Sequence, residues 1–194
     1  MQDIDKTNEM KGISGMQQEL EVRRAILYEA EWIVDLSARV QAALTAAGSL
    51  QQIGPLPIEM VGMSIRGEHA YILEREGRRV GSVLVDPLDG VYPYTSAIPI
   101  VGWGLQTLPA PLWYLHALML DPSEQGQGLG QIFLEGVKRL ALCEGGTITL
   151  DCWAGNTKLR DFYQRAGFTH RGDFPVKDYE VSVFSFSSPI QQNE

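Results

Sequence analysis

Apolar and polar positions alternate over residues 19–23, with Leu20 and Val22 set against Glu19, Glu21 and Arg23, and this two-residue period predicts a short strand. The period then lengthens. Ile33, Leu36, Val40, Ala43, Leu44 and Ala47 recur at spacings of three and four, which predicts an amphipathic helix closed by Gly48, with Pro55 and Pro57 preventing its resumption. Residues 70–73 and 80–85 are apolar runs separated by charges and Gly77, the pattern of a hairpin turning near Glu76 and Gly77. Residues 113–120 form a continuous apolar run of strand length, as expected of a strand covered on both faces. The stripe Leu129, Ile132, Phe133, Val137, Leu140 and Ala141 predicts a second amphipathic helix that Gly145 and Gly146 end. Thr147–Trp153 alternates as a strand, Asn156 caps a helix running to Ala166, and residues 168–174 and 179–186 close the chain as a strand pair. The order is strand, helix, hairpin, strand, helix, strand, helix and two strands, an α/β fold.

Two stretches stand outside that pattern. Residues 1–17 are polar and read as a flexible lead-in to a single domain over 18–194. Residues 87–112 carry Pro87, Pro93, Pro99, Pro109 and Pro111 with Tyr92, Tyr94 and Trp103, too irregular for one element, and long ordered loops tend to carry function. No eighteen apolar residues run together and the start of the chain lacks the apolar core of a secretory signal, so no membrane partner and a cytoplasmic location are expected.

Of the 194 residues 44% are hydrophobic, enough to build a core, while 16 Lys and Arg against 24 Asp and Glu give a net charge of -8. That balance makes nucleic acid an improbable partner and favours cations, of which amines are the commonest in metabolism. Cys143 and Cys152 are nine positions apart with only three histidines elsewhere, so no metal site is expected and the cysteines read as small buried residues.

The chemistry concentrates after the central strand, where Leu118, Met119 and Leu120 lead into Asp121, Pro122 and then Gln125, Gly126, Gln127, Gly128, Leu129, Gly130 and Gln131. A glycine turn feeding a helix start presents bare backbone N–H groups to an anion, reinforced by the positive end of the helix dipole, and a pyrophosphate is the expected ligand. Gln131 stands where a dinucleotide fingerprint needs its third glycine, and no Gly-Lys-Ser/Thr follows, so neither NAD nor ATP is favoured. A plain strand-to-helix turn is the alternative.

What the segment matches is Q/R-x-x-G-x-G/A, with Gln125, Gly128 and Gly130 at the defining places, and here the chain resembles the GNAT superfamily of acetyl-CoA-dependent N-acetyltransferases. The resemblance continues through Asn156, Phe162, Tyr163, Gly167 and Phe168, similar to the second family block. It implies a mixed, mostly antiparallel sheet whose fourth and fifth strands splay apart, flanked by helices, with acetyl-CoA entering the gap. Those strands would be 113–120 and 147–153. The backbone of Leu118 and Leu120 would then pair with the pantetheine, the amides from Gln125 to Gly130 would hold the pyrophosphate with Gln131 beside them, and Asn156 would contact the cofactor as well as capping its helix, with capping alone as the alternative. Arg is the commoner family residue where Gln125 stands, which removes a charge from the phosphate site.

The family reaction moves an acetyl group directly from the thioester to an amine in a ternary complex. An alkyl amine at pH 7 must lose a proton at a cost of about 4.6 kcal/mol, so a base is required. His116 is the first candidate, since strand alternation puts it on the face of Leu118 and an imidazole suits proton acceptance near neutrality. A packed strand histidine is the competing reading, and acidic residues at 86–89 are the runner-up, as an amine-attracting or water-ordering group. Tyr163 would stabilise the departing thiolate, or else be a core aromatic. Asp89, Tyr92, Tyr94 and Trp103 are expected to line the amine side, because aromatic faces and carboxylates together suit a cation. The acceptor would be a small-molecule or peptide amine, with the oligomeric state open and a dimer among the options. A catalytically silent acyl-CoA-binding or partner-docking module is the alternative function.

Overall fold

The computed structural model describes residues 19–143, 145–176 and 178–187, so the lead-in expected at 1–17 lies outside the described residues. Seven strands form one sheet: β1 (Leu20–Arg24), β2 (Ala70–Arg75), β3 (Arg78–Pro87), β4 (Leu112–Leu120), β5 (Thr147–Trp153), β6 (Thr169–Val176) and β7 (Tyr179–Ser187), in the order β1-β2-β3-β4-β5-β7-β6. Every neighbouring pair is antiparallel except β4 with β5, which is parallel. That pair meets only over Leu112, Tyr114 and the residue between, against Thr147–Thr149, after which the strands separate. The splay thus opens between the fourth and fifth strands, as the resemblance implied.

Helices α1 (Ala30–Ala46) and α2 (Ile58–Arg66) cover one face, where Ile33, Leu36, Val61 and Ile65 pack on Ala70, Ile72, Leu84 and Met119. Helices α3 (Leu129–Ala141) and α4 (Thr157–Arg165) belong to the other face, whose core joins Phe133, Val137 and Tyr163 to Val83, Val85, Leu115, Ile148 and Leu150. The two-residue turn between β2 and β3 is Glu76 and Gly77, both at positive φ, as the hairpin pattern predicts.

Helix α2 departs from the sequence reading, which took Pro55 and Pro57 to end helical structure. Proline is tolerated at a helix start because the N–H it lacks would have no intrahelical partner, and Pro57 is the N-cap of α2. The helix presents a narrow buried stripe of Val61, Ser64 and Ile65, too short and too polar for its period to stand out. The long segment 87–112 folds over the C-terminal half of the sheet, where Leu88, Trp103 and Leu105 bury against Val181 and Val183 of β7.

Candidate functional site

Beyond Tyr114 the β4 backbone has no strand beside it on the β5 side. Asp121 donates its N–H to the Val80 carbonyl, so alternation turns the peptide groups of Leu120, and of Leu118 before it, away from β3 and into the splay. These are edge groups available to an extended ligand. Below them the chain turns through Pro122–Glu124, where the Asp121 carboxylate accepts from the Ser123 amide at 3.0 Å and hydroxyl at 2.7 Å, and enters α3 through Gly126 and Gly128, both at φ +78°. A Cβ built on either glycine meets no protein atom within 4 Å, so neither is required by protein packing. What they supply is a left-handed backbone and open space in front of it. The first amides of α3 lack intrahelical partners by construction and face the same region.

This loop borders a cleft of about 570 Å³ lined by Leu120, Gln125, Gly126, Gly128, Gly130, Gln131, Phe162 and Arg165. The structure therefore brings together both sequence blocks, the glycine loop and the C-terminal half of α4, around one opening. Acetyl-CoA fits what is present: an edge for its amide-bearing arm, a glycine turn before a helix start for its pyrophosphate, and a cation, Arg165, on the same lining as Gln125. Five expected residues, Leu118, Met119, Gln127, Leu129 and Asn156, do not line the cleft. Met119 is buried on the α1 and α2 face, Leu129 is buried in the opposite core, and Gln127 is turned toward β2, where its Oε1 accepts from Arg75 at 2.7 Å. Asn156 accepts from the Leu159 amide at 3.1 Å through Oδ1 and caps α4.

His116 is displaced from its expected face by a bulge. Between the pairs Ser82 with Met119 and Leu84 with His116, Ala117 and Leu118 together oppose Val83, and Ala117 takes φ +50°. The extra residue breaks the alternation, so Leu118 packs on the α3 and α4 face while His116 faces α2. There its Nε2 lies 2.7 Å from Oδ2 of Asp86, a β3 carboxylate with 0% exposure. Ser64 of α2 donates to the same oxygen at 2.9 Å, and the Ser64 hydroxyl is 3.3 Å from that of Tyr92. His69 Nδ1 stands 3.4 Å from Oδ1 without good hydrogen-bond geometry. Burial alone would push Asp86 up, but the interactions with His116, His69 and Ser64 hold it down to about 2. An ionised carboxylate can only accept, so Nε2 carries a proton, and in the neutral ring the lone pair is at Nδ1.

Sequence reasoning set His116 as the base against 86–89 carboxylates that would attract the amine or order water, whereas the fold joins His116 to Asp86. Ser64 and His69 were missed. No spacing signal marks them, because they reach Asp86 from α2 and from the loop before β2.

The residues expected to line the amine side separate. Tyr92 belongs to the Asp86 cluster, and burial pushes its phenol up to about 12. Tyr94 stands edge-on to it at 6.4 Å between ring centroids. Asp89 is spent on its own loop, accepting from the amides of Val91 and Tyr92 at 2.8 Å each. Trp103 is only 8% exposed and packs against Phe174, so its ring serves a core and not an open mouth.

On the other side of the sheet Tyr163 is 5% exposed among Phe162, Phe168 and Phe184. Burial pushes its phenol well above the usual value, and no hydrogen bond engages the hydroxyl among the described residues. Its ring is thus core, as one reading had it, with a polar atom left over.

The sequence profile of the acetyltransferase (GNAT) family matches residues 45–168. No curated protein sequence matches. Among solved structures, a GNAT acetyltransferase of Listeria monocytogenes is 20% identical over 88% of this chain and 96% of that one, with a TM-score of 0.68. The polyamine N-acetyltransferase of Drosophila melanogaster, which forms N-acetylagmatine, is 20% identical over 88% of this chain and all of its own, with a TM-score of 0.62. The ribosomal-protein-S18-alanine N-acetyltransferase of Escherichia coli is 16% identical over 91% and 99%, with a TM-score of 0.61. At these identities the neighbours speak for the fold. The profile covers more than half of the chain and spans both sequence blocks and the cleft they enclose, and with it the chain belongs to the GNAT family of acetyltransferases.

Proposed function

We propose that the protein transfers the acetyl group of acetyl-CoA to a primary amine by direct attack, with His116 as the base that receives the amine's proton. The observation that carries this reading is the bond between His116 and fully buried Asp86 beside the mouth of the splay, which directs Nε2–H to the carboxylate and leaves Nδ1 of the neutral ring to accept. As the amine attacks, His116 gains positive charge next to an ionised carboxylate that is already oriented toward it, so little reorganisation accompanies the proton transfer.

The two sides of the sheet divide the labour. His116 and Asp86 face the α2 side, and Tyr163 sits in the α3 and α4 core. A nucleophile deprotonated from one face and a sulfur departing toward the other keep the attacking and leaving atoms apart across the splay. The Tyr163 phenol, raised by burial, is a poor proton donor to a thiolate and a suitable hydrogen-bond donor to one, so its role is to stabilise developing charge on sulfur. When bound, acetyl-CoA supplies the activated acyl group; the residues of this chain orient it and move the proton.

A small-molecule or peptide amine is the acceptor in this reading, consistent with neighbours named for polyamine and ribosomal-protein acetylation. The test is a thiol-release screen of polyamines, amino acids and free-N-terminus peptides with acetyl-CoA, with products weighed by intact mass. Acetylated amine that disappears in His116→Ala at neutral pH and recovers as pH rises supports the assignment. Wild-type protein that binds acetyl-CoA and releases no thiol with any amine would overturn it and favour the silent module.

A further inference from the structure

Asp151 has no part in the glycine cradle, the His116 base or the Tyr163 contact, yet it stands where those elements converge. It lies two residues past Thr149, the last β5 position paired with β4, and so stands where the splay begins. Ile148, Leu150 and Cys152 fill the α3 and α4 core, and alternation therefore turns Asp151 to the face of Tyr114 and His116. The Tyr114 hydroxyl donates to its Oδ1, and the Tyr114 ring stacks on that of His116 with centroids 5.5 Å apart and planes 22° from parallel. Asp151, Tyr114, His116 and Asp86 thus form a continuous line from β5 to β3 along one face.

The second carboxylate oxygen of Asp151 has no hydrogen-bond partner among the described residues, and burial pushes the carboxyl above its usual value, so a cation placed against that oxygen would favour its ionised form. Beside it the mouth is bounded by the loop after α1, whose Gln51 Oε1 accepts from the Trp153 amide at 2.7 Å on the open edge of β5. An acidic oxygen with spare acceptor capacity, held by a tyrosine next to a base and bordering the gap where β4 and β5 part, matches a positively charged donor. Amines at neutral pH are ammonium ions, and removing their proton first requires that the cation be held at the base.

We infer that Asp151 is the anchor for the incoming ammonium ion, binding the acceptor in its cationic form beside His116, so that the enzyme selects amines that arrive charged. The assignment rests on the acetyl-transfer reading and deepens it. Tyr114 is the positioning residue: its hydroxyl fixes one carboxylate oxygen and leaves the other to the ligand.

The test uses the cationic amine that the screen yields as the best acceptor. Asp151→Asn keeps the size of the side chain and an oxygen for Tyr114 while removing the charge. It is expected to raise the KM of that amine about tenfold or more, to change kcat by less than about threefold, and to leave the affinity for CoA, measured calorimetrically, unchanged. Wild-type KM should rise with ionic strength, and that salt dependence should flatten in Asp151→Asn and persist in Tyr114→Phe, which retains the carboxylate. The wild-type salt series needs no variant, and a flat series overturns the assignment even if Asp151→Asn fails to fold. Turnover with an unchanged KM in Asp151→Asn, or a KM that rises only in step with weaker CoA binding, also overturns it while sparing the acetyl-transfer reading. Absence of amine-dependent turnover in the wild type would overturn both.

Discussion

Replacing Asp86 with Asn keeps the volume of a fully buried side chain and removes its charge, and the surrounding contacts set the consequence. The carboxylate receives His116 at 2.7 Å and Ser64 at 2.9 Å on one oxygen, with His69 at 3.4 Å from the other. An amide offers one accepting oxygen and one donating nitrogen. If the oxygen stays with His116, the NH₂ group faces His69; if the NH₂ turns to His116, the imidazole must accept at Nε2 and carry its proton at Nδ1, where the acceptor amine needs a lone pair. Either arrangement loses the charge that stabilises a protonated His116. Because general-base catalysis contributes about a hundredfold to ten-thousandfold, kcat should fall by about a hundredfold or more with the amine KM little changed.

Stability gives an independent measure of the same change. Asp86 is held at about 2 against a usual value of 3.8, and at 1.36 kcal/mol per unit the ionised form contributes about 2 kcal/mol. The folded value lies below the unfolded one, so this contribution is complete above about pH 4 and is lost as pH falls through about 2. Urea denaturation of both proteins at pH 7 and pH 3 should therefore show Asp86→Asn less stable by about 2 kcal/mol or more at pH 7, with the gap narrower at pH 3. A folded Asn variant whose thiol-release kcat stays within about threefold of wild type would refute the orienting role of Asp86.

Tyr163→Phe keeps the packed ring and loses the hydroxyl; steady-state thiol release should show kcat down by about thirtyfold to a thousandfold, a loss of about 2 to 4 kcal/mol in the transition state, with CoA affinity unchanged by calorimetry. Gly128→Val puts a branched side chain on a residue at φ +78° and into the space before the α3 amides, so CoA affinity should fall strongly, whereas Gln125→Arg should tighten it modestly and more at low salt. Trp103→Ala empties a site in the core against Phe174 and β7 and should cost about 3 to 5 kcal/mol in urea denaturation, leaving the amine KM of the folded fraction near the wild-type value.

Periodicity and turn chemistry wrote much of this fold into the sequence. The hairpin at Glu76 and Gly77, the central strand, the stripe of α3 and the cap at Asn156 are local features, each set by residues within a few positions of one another. The glycine loop was legible for the same reason: left-handed backbone and an open helix start are properties of a short contiguous segment. Local signals failed where a long-range contact decides. The nine residues of α2 are a helix because Val61 and Ile65 find Ile72 and Leu84, partners on two strands of the sheet that lie outside the helix's own period. The bulge at Ala117 exists because β4 must pair with β3 around one extra residue, and no pattern within β4 announces it. It moved His116 to the opposite face from Leu118, and there the tertiary fold supplied Asp86, Ser64 and His69 from three other segments. Trp103 and Tyr92 are both aromatic residues of one irregular stretch, yet one serves a core and the other a polar cluster. A sequence specifies which side chains can do chemistry, since that is a property of their functional groups. Which of them share a face, a carboxylate or a cavity is set by how the strands register, and register is fixed only when the whole sheet buries its faces together.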